Sequence, residues 1–257
     1  MRLSHFFAAV FLSLLTLAGC AGTSPRSAAG ATGSVLDTAP RLSKFTFDGE
    51  PFAVAEDFAP WAALTAQSQP DQSILDACMS DRESCAVPGL VRFRRMIELA
   101  RELAPHQQLS LVHHYFNGTE WTSDTRDTWS TLYHTAFTKM GDCEDIALAK
   151  YQTLRSLGWP ADRLRVVIGW DGEEKDWHAW LAVRDEGQVY LLDSINGLQR
   201  PSAYSYARFV YSISDQGVWD YAPNYVPAGK KADQRMVPER AARIAATEGQ
   251  HNKGVLR

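Results

Sequence analysis

The chain has 257 residues, of which 45% are hydrophobic and 22% charged, with a formal net charge of −4. That is enough for one domain with a sizeable core. Residues 228–257 hold seven Lys/Arg and three Asp/Glu, so residues 20–227 carry a formal charge of −9, which argues against nucleic acid as a partner because phosphate binding needs a basic footprint.

In chain order, Arg2 precedes an apolar run over residues 6–18 that ends in Leu17-Ala18-Gly19-Cys20. The run is too short for a permanent bilayer span, and small residues flank the cut, which predicts a signal peptide over 1–19. Leu-Ala-Gly-Cys resembles the bacterial lipobox, which implies cleavage before Cys20 and lipidation of its thiol. By the same resemblance, Ala21 in place of aspartate directs the anchor to the outer membrane. The expected location is therefore the periplasm, with the membrane contacted through lipid. Residues 20–44 read as the lipidated cysteine and an Ala/Gly/Ser/Thr/Pro tether. The folded domain is expected over 45–227. The basic tail, 228–257, reads as a solvated extension or a contact for anionic lipid or cell-wall polymer.

Inside the domain, Phe58-Ala59-Pro60-Trp61 reads as a loop feeding a short helix. Cys78 and Cys85 enclose a short polar loop, a spacing that suits a local disulfide in an oxidising compartment. Val91, Phe93, Ile97, Leu99 and Leu103 recur at helical spacing and predict a helix over 91–104, stopped by Pro105. A second helical piece is expected over 109–116, ended by Asn117-Gly118, and 119–140 reads as irregular. A helix over 143–157 is closed by Gly158 and followed by Pro160. Strands are predicted over 164–170, 177–184 and 188–193. Residues 204–213 read as helix or strand, and 217–219 begin a last strand. Helices first and antiparallel strands after give an α+β order.

With the other three cysteines assigned, Cys143 in Gly141-Asp142-Cys143-Glu144-Asp145 is the odd thiol, and catalysis is the usual reason to keep one in an exported protein. A thiol attacks only as thiolate. The first turn of a helix favours that form, and Asp142 reads as the N-cap that places Cys143 there. Free N–H groups of that turn could hold an oxyanion, with Trp121 and Asn117 as candidates for a second donor. Asp185-Glu186-Gly187 is a turn signal, so residues 177–193 should form a hairpin. With Asp185-Glu186 as loop, His178 lies opposite Asp193; with Glu186-Gly187 as loop, His178 faces Ile195 and Asp193 is a diagonal neighbour. Both registers keep His178 and Asp193 on one face, as a base and its orienting group require. Trp177 and Trp180 are expected to flank the site. Asp142, Glu144 and Asp145 oppose a thiolate. Either they only answer the helix dipole, or a hard cation such as calcium offsets them, with Asp124 as a further ligand. His113-His114 is not at metal-ligand spacing and gives no zinc site.

Gly141-Asp142-Cys143-Glu144-Asp145, followed by Ala147, Ala149-Lys150-Tyr151, Leu154, His178-Ala179 and Leu192-Asp193, resembles the signature of the bacterial transglutaminase-like cysteine peptidases (BTLCP), the LapG-like periplasmic proteases. The resemblance implies a papain-like core, with the nucleophile at a helix N-terminus packed on an antiparallel sheet. It implies a Cys143–His178–Asp193 triad and a Cys78–Cys85 pair, and it carries calcium onto Asp142, Glu144 and Asp145. The expected activity is cleavage of an envelope or surface protein, with a regulatory membrane protein as a further partner. The same triad would serve a protein-glutamine acyltransferase or deamidase, and a silent protein-binding module would keep the groove without the chemistry.

Overall fold

The computed structural model describes residues 45–122 and 128–221. The signal peptide, Cys20, the tether, Asp124 and the basic tail of the preceding section lie outside the described residues.

Five α-helices among these residues precede most of the sheet: α1 Ala59–Ser80, α2 Pro88–Arg101, α3 Pro105–Asn117, α4 Leu132–Thr138 and α5 Cys143–Ser156. The first three differ in extent from the sequence expectation, and α4 has no counterpart in it. α1 is long rather than short, because it starts with Pro60 in its first turn and runs on through Pro70 in its interior. α2 begins at Pro88, and Pro105 opens α3 as well as ending the approach to it, since proline suits the first helical position, where no N–H partner is needed. Leu99, one of the apolar residues that mark this helix, is exposed. The Cys78–Cys85 disulfide forms and ties the end of α1 to the loop before α2.

The stretch read as irregular contains α4 and a two-stranded parallel pair, β1 Glu120–Trp121 with β2 Met140–Gly141. The main sheet comprises β3 Leu164–Asp171, β4 Asp176–Asp185, β5 Gln188–Asp193, β6 Gly197–Gln199, β7 Arg208–Ser214 and β8 Gly217–Asp220. Its spatial order is β6-β5-β4-β3-β7-β8, every pairing antiparallel. β6 was not foreseen: three residues after Asn196 carry too little alternation to register. The ambiguous 204–213 stretch is resolved as strand β7.

α5 packs against β3 and β4 and is buried along most of its length. Ala147, Leu148 and Ala149 are strong helix formers. Its C-terminus closes as a Schellman motif: the Trp159 N–H reaches the Leu154 carbonyl, the Gly158 N–H reaches that of Arg155, and Gly158 takes a positive φ of 92°.

Alternate residues of β4 separate two apolar layers. Trp177, Ala179, Leu181 and Val183 face the helical core. Trp180 and Ala182 join Val167, Leu191 and Phe209 in a second layer, which Phe45 and Phe47 cover. The Arg165 guanidinium sits between the Phe47 ring (5.0 Å) and the Trp219 ring (3.5 Å) and donates to the Phe47 carbonyl. Residues 45–47 are therefore part of the fold. Phe47→Ala should cost about 3–4 kcal/mol in urea unfolding. A loss below about 1 kcal/mol would show that the segment merely lies on the sheet.

Candidate active site

β4 and β5 pair as Asp185↔Gln188 and onward to Leu181↔Leu192. Glu186 and Gly187 both have positive φ, 46° and 76°, the backbone of a tight two-residue hairpin turn. The loop is thus Glu186-Gly187, the second of the two registers considered, and Asp193 is the diagonal neighbour of His178. The side chains meet: His178 Nε2 lies 2.8 Å from Asp193 Oδ1, and both residues are buried.

Asp193 is held by more than His178. Its Oδ1 accepts from the Ile195 N–H at 2.8 Å, and its Oδ2 accepts from Trp180 Nε1 at 3.2 Å, Tyr204 Oη at 2.9 Å and Asn196 Nδ2 at 3.2 Å. Burial alone would raise this carboxyl. The hydrogen bond and charge of His178, with the Ile195 and Tyr204 donors, overcome it and hold the group below the usual carboxylate range. Trp180 also stands edge-on to the His178 ring, centroids 4.6 Å apart, so it flanks the site as expected. Trp177 is buried and stands edge-on to Trp170, centroids 6.2 Å apart.

Cys143 is the first residue of α5, with Asp142 at the N-cap position. The first intrahelical bond runs from the Ile146 N–H to the Asp142 carbonyl, so the N–H groups at the helix mouth have no partner within it. Asp142 stands at the N-cap position, as expected; its side chain closes no regular cap hydrogen bond, although the Asp145 N–H works to lower its carboxyl. β1 pairs Trp121 with Gly141, which brings this exposed indole to the strand that feeds the nucleophile turn. Gly141 is a place where no side chain fits: a Cβ there would stand 2.8 Å from the Asp145 Cβ.

The Cys143 sulfur approaches the backbone N–H of Ala179, the residue next to His178 on β4, beyond the last β4–β5 pair. The thiol donates to Glu144 Oε2 at 3.0 Å. Burial, then the charge and hydrogen bond of Glu144, then the charge of Asp142, push the thiol well up, against the Ala179 N–H. The acid cluster strains itself as well. Burial and then Glu144 raise Asp142 to about 9, and its Oδ1 is buried without a hydrogen-bond partner. Burial raises Asp145 to about 6, although the Ser130 N–H (2.7 Å) and Oγ (3.1 Å) both donate to it. Carboxylate oxygens of this kind suit a hard cation. Among the described residues no three His, Cys, Asp or Glu side chains are grouped closely enough to hold a metal by themselves.

Asn117 does not serve as an oxyanion donor. Its amide nitrogen donates to the Asp193 carbonyl at 3.0 Å and lies 3.2 Å from His113 Nε2, while its Oδ1 accepts from Lys150 Nζ at 2.7 Å. Sequence reasoning missed Tyr204, Asn196 and Lys150. Only Lys150 left a signal: a single cation inside the apolar run from Ile146 to Tyr151.

No curated protein sequence matches the chain at a significant level. Among solved structures, it is similar to Legionella pneumophila LapG, at 24% identity and a TM-score of 0.51, over 59% of this chain and 87% of that one. The EGTA-treated LapG structure gives 23%, 0.52, 64% and 92%; the calcium-bound one gives 24%, 0.49, 60% and 89%. The first two likenesses agree with a papain-like α+β core. The family model described as bacterial transglutaminase-like cysteine proteinase BTLCP matches residues 65–221, which span α5, β4 and β5 with their cysteine, histidine and aspartate, and the chain belongs to that family.

Proposed function

We propose that the chain is a periplasmic cysteine endopeptidase, anchored by lipid on Cys20, that cleaves an envelope or surface protein. Cys143 is the nucleophile, His178 the base and Asp193 the orienting group. The observation that carries this reading is the buried His178–Asp193 hydrogen bond, one strand residue from the Ala179 N–H that meets the Cys143 sulfur. With Nε2 bound to Asp193, the imidazole keeps Nδ1 for the thiol proton. The sulfur then bonds to the substrate carbonyl carbon, and Nδ1 returns the proton to the leaving amine as the C–N bond breaks. Water hydrolyses the thioester and frees the thiol. Asp193 fixes the tautomer and stabilises the imidazolium. N–H groups at the α5 mouth face the developing oxyanion.

The acids around Cys143 belong to the same reading. Asp142, Glu144 and Asp145, with Asp124, would hold calcium, together with main-chain oxygens or water. Bound there, calcium would offset the negative charge that opposes the thiolate. Glu144, the present acceptor of the thiol proton, and the unpartnered Asp142 Oδ1 support this assignment.

The test is the rate of Cys143 alkylation by iodoacetamide in protein lacking residues 1–40. The expected result is fast labelling at pH 7 with calcium, slowed by a chelator and lowered about a hundredfold by His178→Ala. Labelling that tracks an ordinary thiol and ignores both changes would remove the peptidase reading and favour a binding module. Product analysis with an added amine separates hydrolysis from acyl transfer.

A further inference from the structure

Lys150 has no exposed surface and no part in the mechanism just described. It lies two turns after Cys143 on α5, so both project from the same side of one helix. Its Nζ donates to Asn117 Oδ1 at 2.7 Å and to the Leu192 carbonyl at 3.4 Å. Asn117, the last residue of α3, passes the link on, its amide donating to the Asp193 carbonyl at 3.0 Å. Lys150 thus holds the backbone of both final residues of β5, one directly and one through Asn117.

We propose that Lys150 is a positioning residue that fixes the Asp193 backbone to the nucleophile's own helix. The inference rests on the Cys143–His178–Asp193 reading. A methionine would fill the same space without the cost of burying an amine. What it could not do is donate to two acceptors at the end of a strand whose pairing with β4 stops at Leu192. The charged and titratable groups around the amine are Asp193 on β5 and His113 on α3. Because α5 is rigid, its one face sets both where the sulfur stands and where the β5 end stands. The separation of nucleophile and His178–Asp193 pair is then a property of one helix. A loop of its own would not be needed to hold it.

The test compares Lys150→Met with wild type by two readings in the calcium-loaded protein. One is the NMR signal of the His178 Nε2 proton shared with Asp193; the other is Cys143 alkylation at pH 7. The expected result for Lys150→Met is a folded protein whose His178 proton is lost to solvent exchange and whose labelling is about tenfold slower. Asn117→Asp keeps an acceptor for Lys150 but loses the donor to the Asp193 carbonyl, and should give the same two changes. A folded Lys150→Met protein with the His178 signal and labelling rate of wild type would overturn the proposal, whatever its melting temperature. If Lys150→Met does not fold, Asn117→Asp decides by the same readings. If wild-type labelling is itself indifferent to His178→Ala, the peptidase reading fails and the role of Lys150 fails with it. If that dependence holds and only the Lys150 and Asn117 variants behave as wild type, the peptidase reading stands alone.

Discussion

An Asp193→Asn protein should be less stable by about 3 kcal/mol and should label at Cys143 about a hundredfold more slowly at neutral pH. The carboxylate accepts from His178, Ile195, Trp180, Tyr204 and Asn196. An amide has one acceptor oxygen and turns its NH₂ toward donors that have nowhere else to go. Buried donors left unpaired cost about 1–3 kcal/mol each. The slower labelling has a separate origin: the amide no longer fixes the tautomer that leaves Nδ1 for the thiol proton. The pH dependence gives a second reading. Asp193 is held below its unfolded value, so its contribution is complete above about pH 4 and is lost only as pH falls through the lower folded value. Urea midpoints between pH 7 and pH 4 should therefore show a constant gap between wild type and variant. A gap that closes across that range would mean that Asp193 is not the fixed charge described.

A larger acid effect should come from His113. Burial, then the charges of Lys150 and His114, depress its imidazole to about 3. The unfolded chain binds that proton near the ordinary histidine value, about 6.5. Stability is then complete above about pH 6.5 and falls as pH drops toward 3, by up to about 1.4 kcal/mol per unit. Geometry points the same way. The Asn117 amide donates to His113 Nε2, and a proton there would set N–H against N–H and break the link to the Asp193 carbonyl. With Nε2 accepting from Asn117, the neutral ring carries its N–H on Nδ1, which is buried without a partner. His113→Gln, whose carbonyl can accept from Asn117, should flatten the slope between pH 6.5 and pH 4. Parallel slopes for the two proteins would show that His113 is not the acid-sensitive group.

Local pattern made part of this legible. The Asp142 entry and Gly158 exit of α5 are capping signals, and a period of two with a Glu186-Gly187 turn put His178 and Asp193 on one face. Other features depend on contacts far apart in sequence. Tyr204 reaches Asp193 only because the chain turns back after β6, and Asn117 reaches it across α3 and β5. α1 is longer than its pattern suggests because Pro70 and a polar run mask its continuity, and the exposed Leu99 shows that helical spacing names a face without saying what covers it. Asp142 sits where an N-cap belongs, yet burial and the like charges of Glu144 and Asp145 oppose its ionisation there.

The cover of Phe45 and Phe47 has a consequence for the order of folding. Phe45 packs on Phe209 and Tyr221, so the first described residues are seated by some of the last. β3, β4, β5 and β6 follow one another as neighbours and can form early from local contacts, whereas this closure waits for the end of the chain. The segment that opens the folded domain is thus among the last to dock, and until it does the outer layer around Trp180 stays open.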